Sequence, residues 1–289
     1  MKLQRRFTIL GQLLVYTILA AIFLMPFIWI VLGSVRAENE ILKYLAPLSF
    51  RTFVPIHWTV ESYITVMGWN ATGRAAGYNF GRNMLNSFFV STAVVVCSLL
   101  FNTMGAYFFA RLRFPKKSWL LMFVLATFLI PFEATMIPLY MVIRDLHLEN
   151  TYWALIVPWY ASPFVIFSLI QFMRESIPYE LDEAALMDGA GLGRILWSII
   201  VPNTIPGLVT NALLEFQFIW NLFYWPLIAV SDRTIQDLPV VIAGTLGQTQ
   251  QYWGRTFAGS ALATLPVVII FLMLQRYYVQ GIANTGVKG

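Results

Sequence analysis

Charge is scarce in this sequence. Only 11% of its 289 residues are Asp, Glu, Lys or Arg, where a soluble domain carries about 25%. That shortage excludes an ordinary water-facing surface. Cysteine is nearly absent too. Cys97 stands alone, so no disulfide and no cysteine metal cluster can form within one chain, and its apolar surroundings make it a small buried hydrophobe. The two histidines, His57 and His147, lie far apart in sequence, and each reads as a satisfied surface residue, not a metal ligand. No G-x-x-x-x-G-K-[ST] segment occurs. The run Gly189–Arg194 is glycine-rich but follows a helical stretch and lacks the lysine of a phosphate loop. No G-x-S-x-G nucleophile turn is present either. The chain is therefore expected to have no metal, no cofactor and no ATPase site of its own.

What the chain has in abundance is apolar length. Residues of apolar type make up 58% of it, and its mean hydropathy is +0.69. Runs of about 20 apolar residues, each enough to cross a bilayer, recur along it. The expected fold class is an all-α integral membrane protein, a single membrane domain over 1–289. Six spans are expected, near 10–35, 86–112, 119–143, 151–173, 205–230 and 257–282. Pro131 and Pro138 in the third, and Pro158 and Pro163 in the fourth, predict kinks. The net charge of +5 belongs to a membrane protein's basic flanks and gives no reason to expect a nucleic acid. The short connection Arg111–Lys117 (RLRFPKK) carries four basic residues. It predicts a cytoplasmic side for that loop and for both termini.

Two connections are too long for turns. Residues 36–85 predict an external cap with an amphipathic helix near 60–67. Residues 174–204 predict a cytoplasmic hairpin. In it Pro178 suits a first helical turn, and Glu180, Asp182 and Glu183 suit the positive end of the helix dipole. Leu181, Ala184, Ala185 and Asp188 fall on one helical face. Gly189 and Gly191 allow a tight reversal. A second helix follows, with Leu192, Ile195, Leu196 and Ile199 as its stripe and Pro202 as its stop. Read from the residues alone, the hairpin is either a rigid lever or an amphipathic linker.

Glu183-Ala184-Ala185, Gly189, Ile199 and Pro202 match the pattern EAA-x3-G-x9-I-x-L-P, with Val201 in place of the leucine. In this the chain resembles permease subunits of binding-protein-dependent ABC importers. Asn86-Ser87-Phe88, Gly105-Ala106-Tyr107, Ala110–Phe114, Ile137–Tyr140 and Trp220–Leu227 are similar to the carbohydrate subfamily, and the C-terminus to the smaller maltose-type permease subunit. The resemblance implies a location in the bacterial inner membrane, surrounded by lipid. It also implies a heterodimer with a second permease, two ATP-binding subunits carrying ATP and Mg, an extracytoplasmic solute-binding protein, and a carbohydrate cargo. It makes Glu183, Ala184, Ala185, Asp188, Gly189, Ile199 and Pro202 ATPase-coupling residues. It makes the tail 283–289, with Gly286, Val287, Lys288 and Gly289, a second ATPase contact.

Glu133 and Glu215 lie inside apparent spans, where a charge costs about 2.5–3.5 kcal/mol on insertion scales. They are candidates for the pathway or a gate, or for inter-subunit hydrogen bonds. Asn221 sits near Glu215 as a further polar candidate. Trp220, Phe223 and Trp225 stack on sugars or pack between helices. The competing function is an ion-coupled secondary transporter using Glu133 or Glu215. No inverted repeat supports it.

Overall fold

Long apolar stretches with few helix breakers fold as uninterrupted helices, and prolines decide where the others break. The computed structural model describes residues 2–44, 49–246 and 252–286. The chain separates into two compact units, 1–81 with 241–266 and 82–240 with 267–289. In the first unit α1 (Lys2–Ser34) is followed by the short helices α2 (Glu38–Ile41), α3 (Phe50–Phe53), α4 (Glu61–Val66) and α5 (Ala71–Ala75). The amphipathic helix expected near 60–67 is α4. Arg36 is buried and donates to the carbonyls of Arg51 (3.3 Å) and Thr52 (3.0 Å), which ties the start of the segment to α3. Buried Glu40 accepts from the amides of Ile56 (3.2 Å) and His57 (3.4 Å) and pairs with the His57 ring. Burial pushes that carboxyl up, but the hydrogen bonds from His57 and Ile56 outweigh it and hold the pKa below its usual value. His57 is thus satisfied, as expected of a surface histidine.

In chain order there follow α6 (Phe80–Arg111), α7 (Lys117–Thr127), α8 (Phe132–Asp145), α9 (Tyr152–Ile156) with a 3₁₀ turn at Val157–Trp159, α10 (Pro163–Ser176), α11 (Glu180–Met187), α12 (Leu192–Ile195) with a π turn at Leu196–Ile200, α13 (Val201–Trp220), α14 (Tyr224–Ala229), α15 (Leu238–Leu246) and α16 (Trp253–Gly286). Among the described residues, four helical runs are long and apolar enough to cross a membrane: Ile9–Ser34, Phe80–Arg111, Leu192–Trp220 and Trp253–Met273. Two bent pairs bring the number to six if each counts as one span. No sheet occurs among the described residues, only an isolated bridge between Arg36 and Trp58.

The bends are sharper than kinks. Helices α7 and α8 meet at 94°. The amides of Phe128, Leu129 and Ile130 bond three residues back, which tightens the end of α7, and Pro131 then starts α8 from an extended backbone. Pro138 is absorbed inside α8 without ending it. Helices α9 and α10 meet at 42°. There Ser162 caps α10 by accepting from the Val165 amide (3.3 Å), and Pro163 occupies its first turn.

Pro202 does not stop the second hairpin helix, as its sequence position suggests; the helical run continues to Trp220. The π turn just before it is the physical reason. Its wider ring accommodates a residue that has no N–H and crowds the preceding turn. The fifth expected span accordingly belongs to a continuous helical run from Leu192 to Trp220, whose first turn is part of the hairpin, and residues 224–229 form a separate short helix. Helices α10 and α13 pack closely. A Cβ on Gly207 would stand 2.8 Å from the Phe172 ring, and Asn211 donates to Ser168 Oγ (3.0 Å).

Candidate functional site

The hairpin of α11 and α12 is built around a glycine turn. Gly189 has φ +76°, a conformation that strains any residue with a side chain. Its amide donates to the Leu186 carbonyl (3.0 Å), and the Ala190 amide reaches back to the Ala185 carbonyl (2.9 Å). This pair of bonds is a Schellman cap, which satisfies the last carbonyls of α11 while reversing the chain. Nothing lies within 4 Å of a Cβ built on Gly189. The requirement for glycine is therefore one of backbone conformation, not of room.

The expected alanine face is divided. Ala185 is only 8% exposed and joins the apolar cluster of Tyr107, Phe109, Ala110, Leu169, Met173, Ile177, Ile195 and Ile200. It is covered by its own chain and offers nothing to another surface. Ala184, Glu180, Glu183 and Asp188 are exposed, and Met187 is 88% exposed. Successive helix positions turn by about 100°, so Glu180, Glu183, Ala184 and Met187 form the outer face opposite Ala185. Ile199 is half-buried and Pro202 exposed, one on the π turn and the other just after it.

Charges hold the hairpin's inner face. Arg111, the last residue of α6, is buried and donates from Nη2 to the carbonyls of Met173 (2.8 Å) and Ile177 (2.6 Å). Its Nε lies 3.6 Å from Asp182 Oδ2, and its guanidinium covers the Tyr179 ring at 4.3 Å. Burial raises the Asp182 carboxyl above its usual value, with the Arg111 charge pulling only partly against it. In the sequence these residues stand out only as a topology charge and one acid of a first turn. Nothing in their spacing announces the pair.

A second polar cluster lies where α9 and α10 break. Ser98 donates to Glu215 Oε1 (2.6 Å), Asn102 donates to Ser98 Oγ (2.6 Å), and the Ser162 amide donates to Asn102 Oδ1 (3.0 Å). Beside it is a cavity of about 360 Å³ lined by Phe128, Trp159, Ala161, Ser162, Pro163, Phe164, Val165, Asn211, Leu214, Glu215, Phe218 and Ile219. Glu215 Oε2, Asn211 Oδ1 and Trp159 Nε1 are buried without a hydrogen-bond partner among the described residues. A shallower concavity is lined by Leu214, Gln217, Phe218, Asn221, Leu222, Phe223 and Tyr224. Glu133 lines neither. It is exposed in the first turn of α8, so the two intramembrane acids do not meet in one cavity. Trp220 is buried and stacked on Phe216 at 5.6 Å, and Trp225 is fully buried with its Nε1 donating to the Ala154 carbonyl (2.9 Å). Both tryptophans pack between helices and contribute to neither cavity. Of the tail, Gly286 ends α16, whereas Val287, Lys288 and Gly289 lie outside the described residues.

Spanning helices with a capped helical hairpin between two of them define a multi-pass membrane protein. Residues 102–284 match the family described as binding-protein-dependent transport system inner membrane component, and the chain belongs to that family. It is 32% identical over 277 residues to an arabinooligosaccharides transport system permease protein of Halalkalibacterium halodurans, covering 95% of this chain and 94% of the relative. It is 32% identical to a trehalose transport system permease protein of Mycobacterium tuberculosis, covering 94% and 95%. A trehalose/maltose transport system permease protein of Thermococcus litoralis is 30% identical, covering 99% and 98%. Among solved structures, one chain of a bacterial ABC transporter involved in the import of the acidic polysaccharide alginate matches with a TM-score of 0.75 and 25% identity. That match covers 95% of this chain and 97% of the other.

Proposed function

We propose that this permease forms, with a second homologous permease, the translocation pathway of an ATP-driven carbohydrate importer, and that its cargo is an oligosaccharide. Two ATP-binding subunits power it, and an extracytoplasmic solute-binding protein delivers the sugar. The cargo class rests on the relatives, whose names cite arabinooligosaccharides, trehalose and maltose. The observation that carries the coupling role is the hairpin itself. It is seated by Ala185 on one side and presents Glu180, Glu183, Ala184 and Met187 on the other. An acidic rim around a small residue suits a basic cleft in an ATP-binding subunit, with Glu183 meeting an arginine there. Gly189 makes the turn, and Asp188, Ile199 and Pro202 set its flanks.

The basic connection after α6 and the hairpin belong on one side of the membrane, since Arg111 contacts both Tyr179 and Asp182. Lysine and arginine in short loops assign that side to the cytoplasm. We assign both termini to that side as well, with the tail Gly286–Gly289 as a second ATPase contact and 36–85 as the external cap. Glu215, Asn221 and Phe223 line the two concavities and are assigned to the sugar pathway, where a broken helix pair leaves polar groups facing a cavity. Glu133 and Trp220 line neither concavity and are given no place in that pathway.

The test is site-directed crosslinking. Cys97 is the sole cysteine, so a Glu183→Cys or Ala184→Cys variant in a Cys97→Ser background carries one reporter. A crosslink to an ATP-binding subunit that changes with nucleotide is expected. Crosslinks to lipid alone in an importer that still takes up sugar would refute the docking role.

A further inference from the structure

Helices α6 and α10 end side by side, and each helix end leaves carbonyls without intrahelical donors. The two ends cap one another. Arg111 of α6 serves Met173 and Ile177 at the end of α10 (2.8 and 2.6 Å). In return Arg174 of α10 donates to Phe109 (3.3 Å), and the Tyr179 hydroxyl donates to Ala110 (3.3 Å). The guanidinium that performs the first of these tasks also receives two groups close to or on α11, the Tyr179 ring and the Asp182 carboxylate. Along the backbone α11 is joined only to α10 before it and α12 after it. Through Arg111 it is joined to α6 as well.

The Arg111–Asp182 contact is incompletely made. Its Nε to Oδ2 distance is 3.6 Å, about 0.8 Å longer than a charge-assisted hydrogen bond. Arg111 Nε and Nη1 and Asp182 Oδ1 are all buried, and none has a hydrogen-bond partner among the described residues. Nε is the unused donor on the Asp182 side, so shortening its 3.6 Å contact completes one charge-assisted hydrogen bond to the carboxylate while Nη2 stays on its two carbonyls. The raised Asp182 pKa agrees with a charge whose burial is only partly compensated. A lysine could not replace this arginine, because a point charge lacks the planar fork that serves two carbonyls and a carboxylate together.

We propose that Arg111 is a positioning residue that passes movement of α11 into α6, its pair with Asp182 loose in this conformation and closing to a direct hydrogen bond from Nε to the carboxylate when α11 is displaced. The proposal rests on the coupling role of α11 given above. It adds that the hairpin drives three spanning elements, two through the backbone and one through a side chain.

The test uses the complete importer, with both permeases, the ATP-binding subunits and the solute-binding protein, carrying Asp182→Asn, Arg111→Lys or both. Three quantities are read: ATP-binding subunit retained on purification, stimulation of ATP hydrolysis by sugar-loaded binding protein, and uptake. Asp182→Asn is isosteric and leaves the carbonyl caps of Arg111 in place. It is expected to retain the ATP-binding subunits while stimulation and uptake fall about tenfold, the loss of one charge-assisted contact. The double variant is expected to fall no further than Arg111→Lys alone, because contacting residues do not add. A purely structural role would lower assembly and leave stimulation of the assembled fraction intact. That result, or wild-type stimulation in Asp182→Asn, overturns the proposal. Failure of the wild-type chain to retain any ATP-binding subunit would overturn the proposed function and this inference together.

Discussion

Gly189 shows how much a single residue's neighbours along the chain can reveal. A glycine after an acidic, alanine-rich helix suggests a reversal, and φ +76° with a Schellman cap is that reversal. Because no atom waits within 4 Å of a new Cβ, substitution there tests backbone strain alone. Gly189→Ala should cost about 1–2 kcal/mol, the left-handed penalty of an ordinary residue, and Gly189→Val more, because branching at Cβ crowds that region. Both variants should reach the membrane and keep their spans. An importer carrying Gly189→Val should hydrolyse ATP without matching uptake, which transport and hydrolysis measured in one vesicle preparation will show. Arg111 and Asp182 are not legible in the same way. Their significance arises from a tertiary meeting of residues on α6 and α11, and a single sequence carries no trace of who meets whom. Ala185 is legible as a small residue on a face, but helical periodicity does not say whether that face meets the chain's own core or a stranger.

At the scale of elements, apolar length is the readable quantity. The spans expected near residues 10–35, 86–112 and 257–282 correspond to the uninterrupted runs Ile9–Ser34, Phe80–Arg111 and Trp253–Met273. The third and fourth, whose prolines predict kinks, are broken at 94° and 42°. Proline announces a disturbance, but its angle depends on what caps the freed groups, here Ser162 in one case and a tightened turn in the other. The π turn at Leu196–Ile200 is hidden in the sequence, since i→i+5 bonding has no compositional signature. It holds one residue more than an α turn. Deleting Ser198 should restore α bonding with little change of register, since the turn then closes with one residue fewer, but it returns Pro202 to an α turn that its ring crowds. Such a variant is expected to insert normally yet lose most ATP-driven uptake. Alanine at the exposed positions Trp197 and Ser198 of the same turn should leave uptake largely intact.

Over the whole molecule, stability should depend on pH through a group outside the spans. Asp237 is 4% exposed, its Oδ1 has no hydrogen-bond partner among the described residues, and burial pushes its pKa up to about 7. The folded chain therefore holds a proton that the unfolded chain has already released. Its stabilising contribution is complete below about pH 4 and is lost as pH rises through about 7. Asp237→Asn should melt several degrees higher than wild type at about pH 8, and the difference should shrink toward about pH 4. Melts of the purified protein in one detergent will decide it. Helix α1 adds a different dependence. Its apolar run Ile9–Ser34 has 26 residues, and none of its apolar window is buried inside the chain. Those residues extend over about 39 Å at 1.5 Å each, against a hydrocarbon core of about 30 Å. Unclasped by its own fold, such a rod settles its lean against the thickness of the sheet it crosses, and acyl-chain length becomes one of the variables that set how this transporter rests.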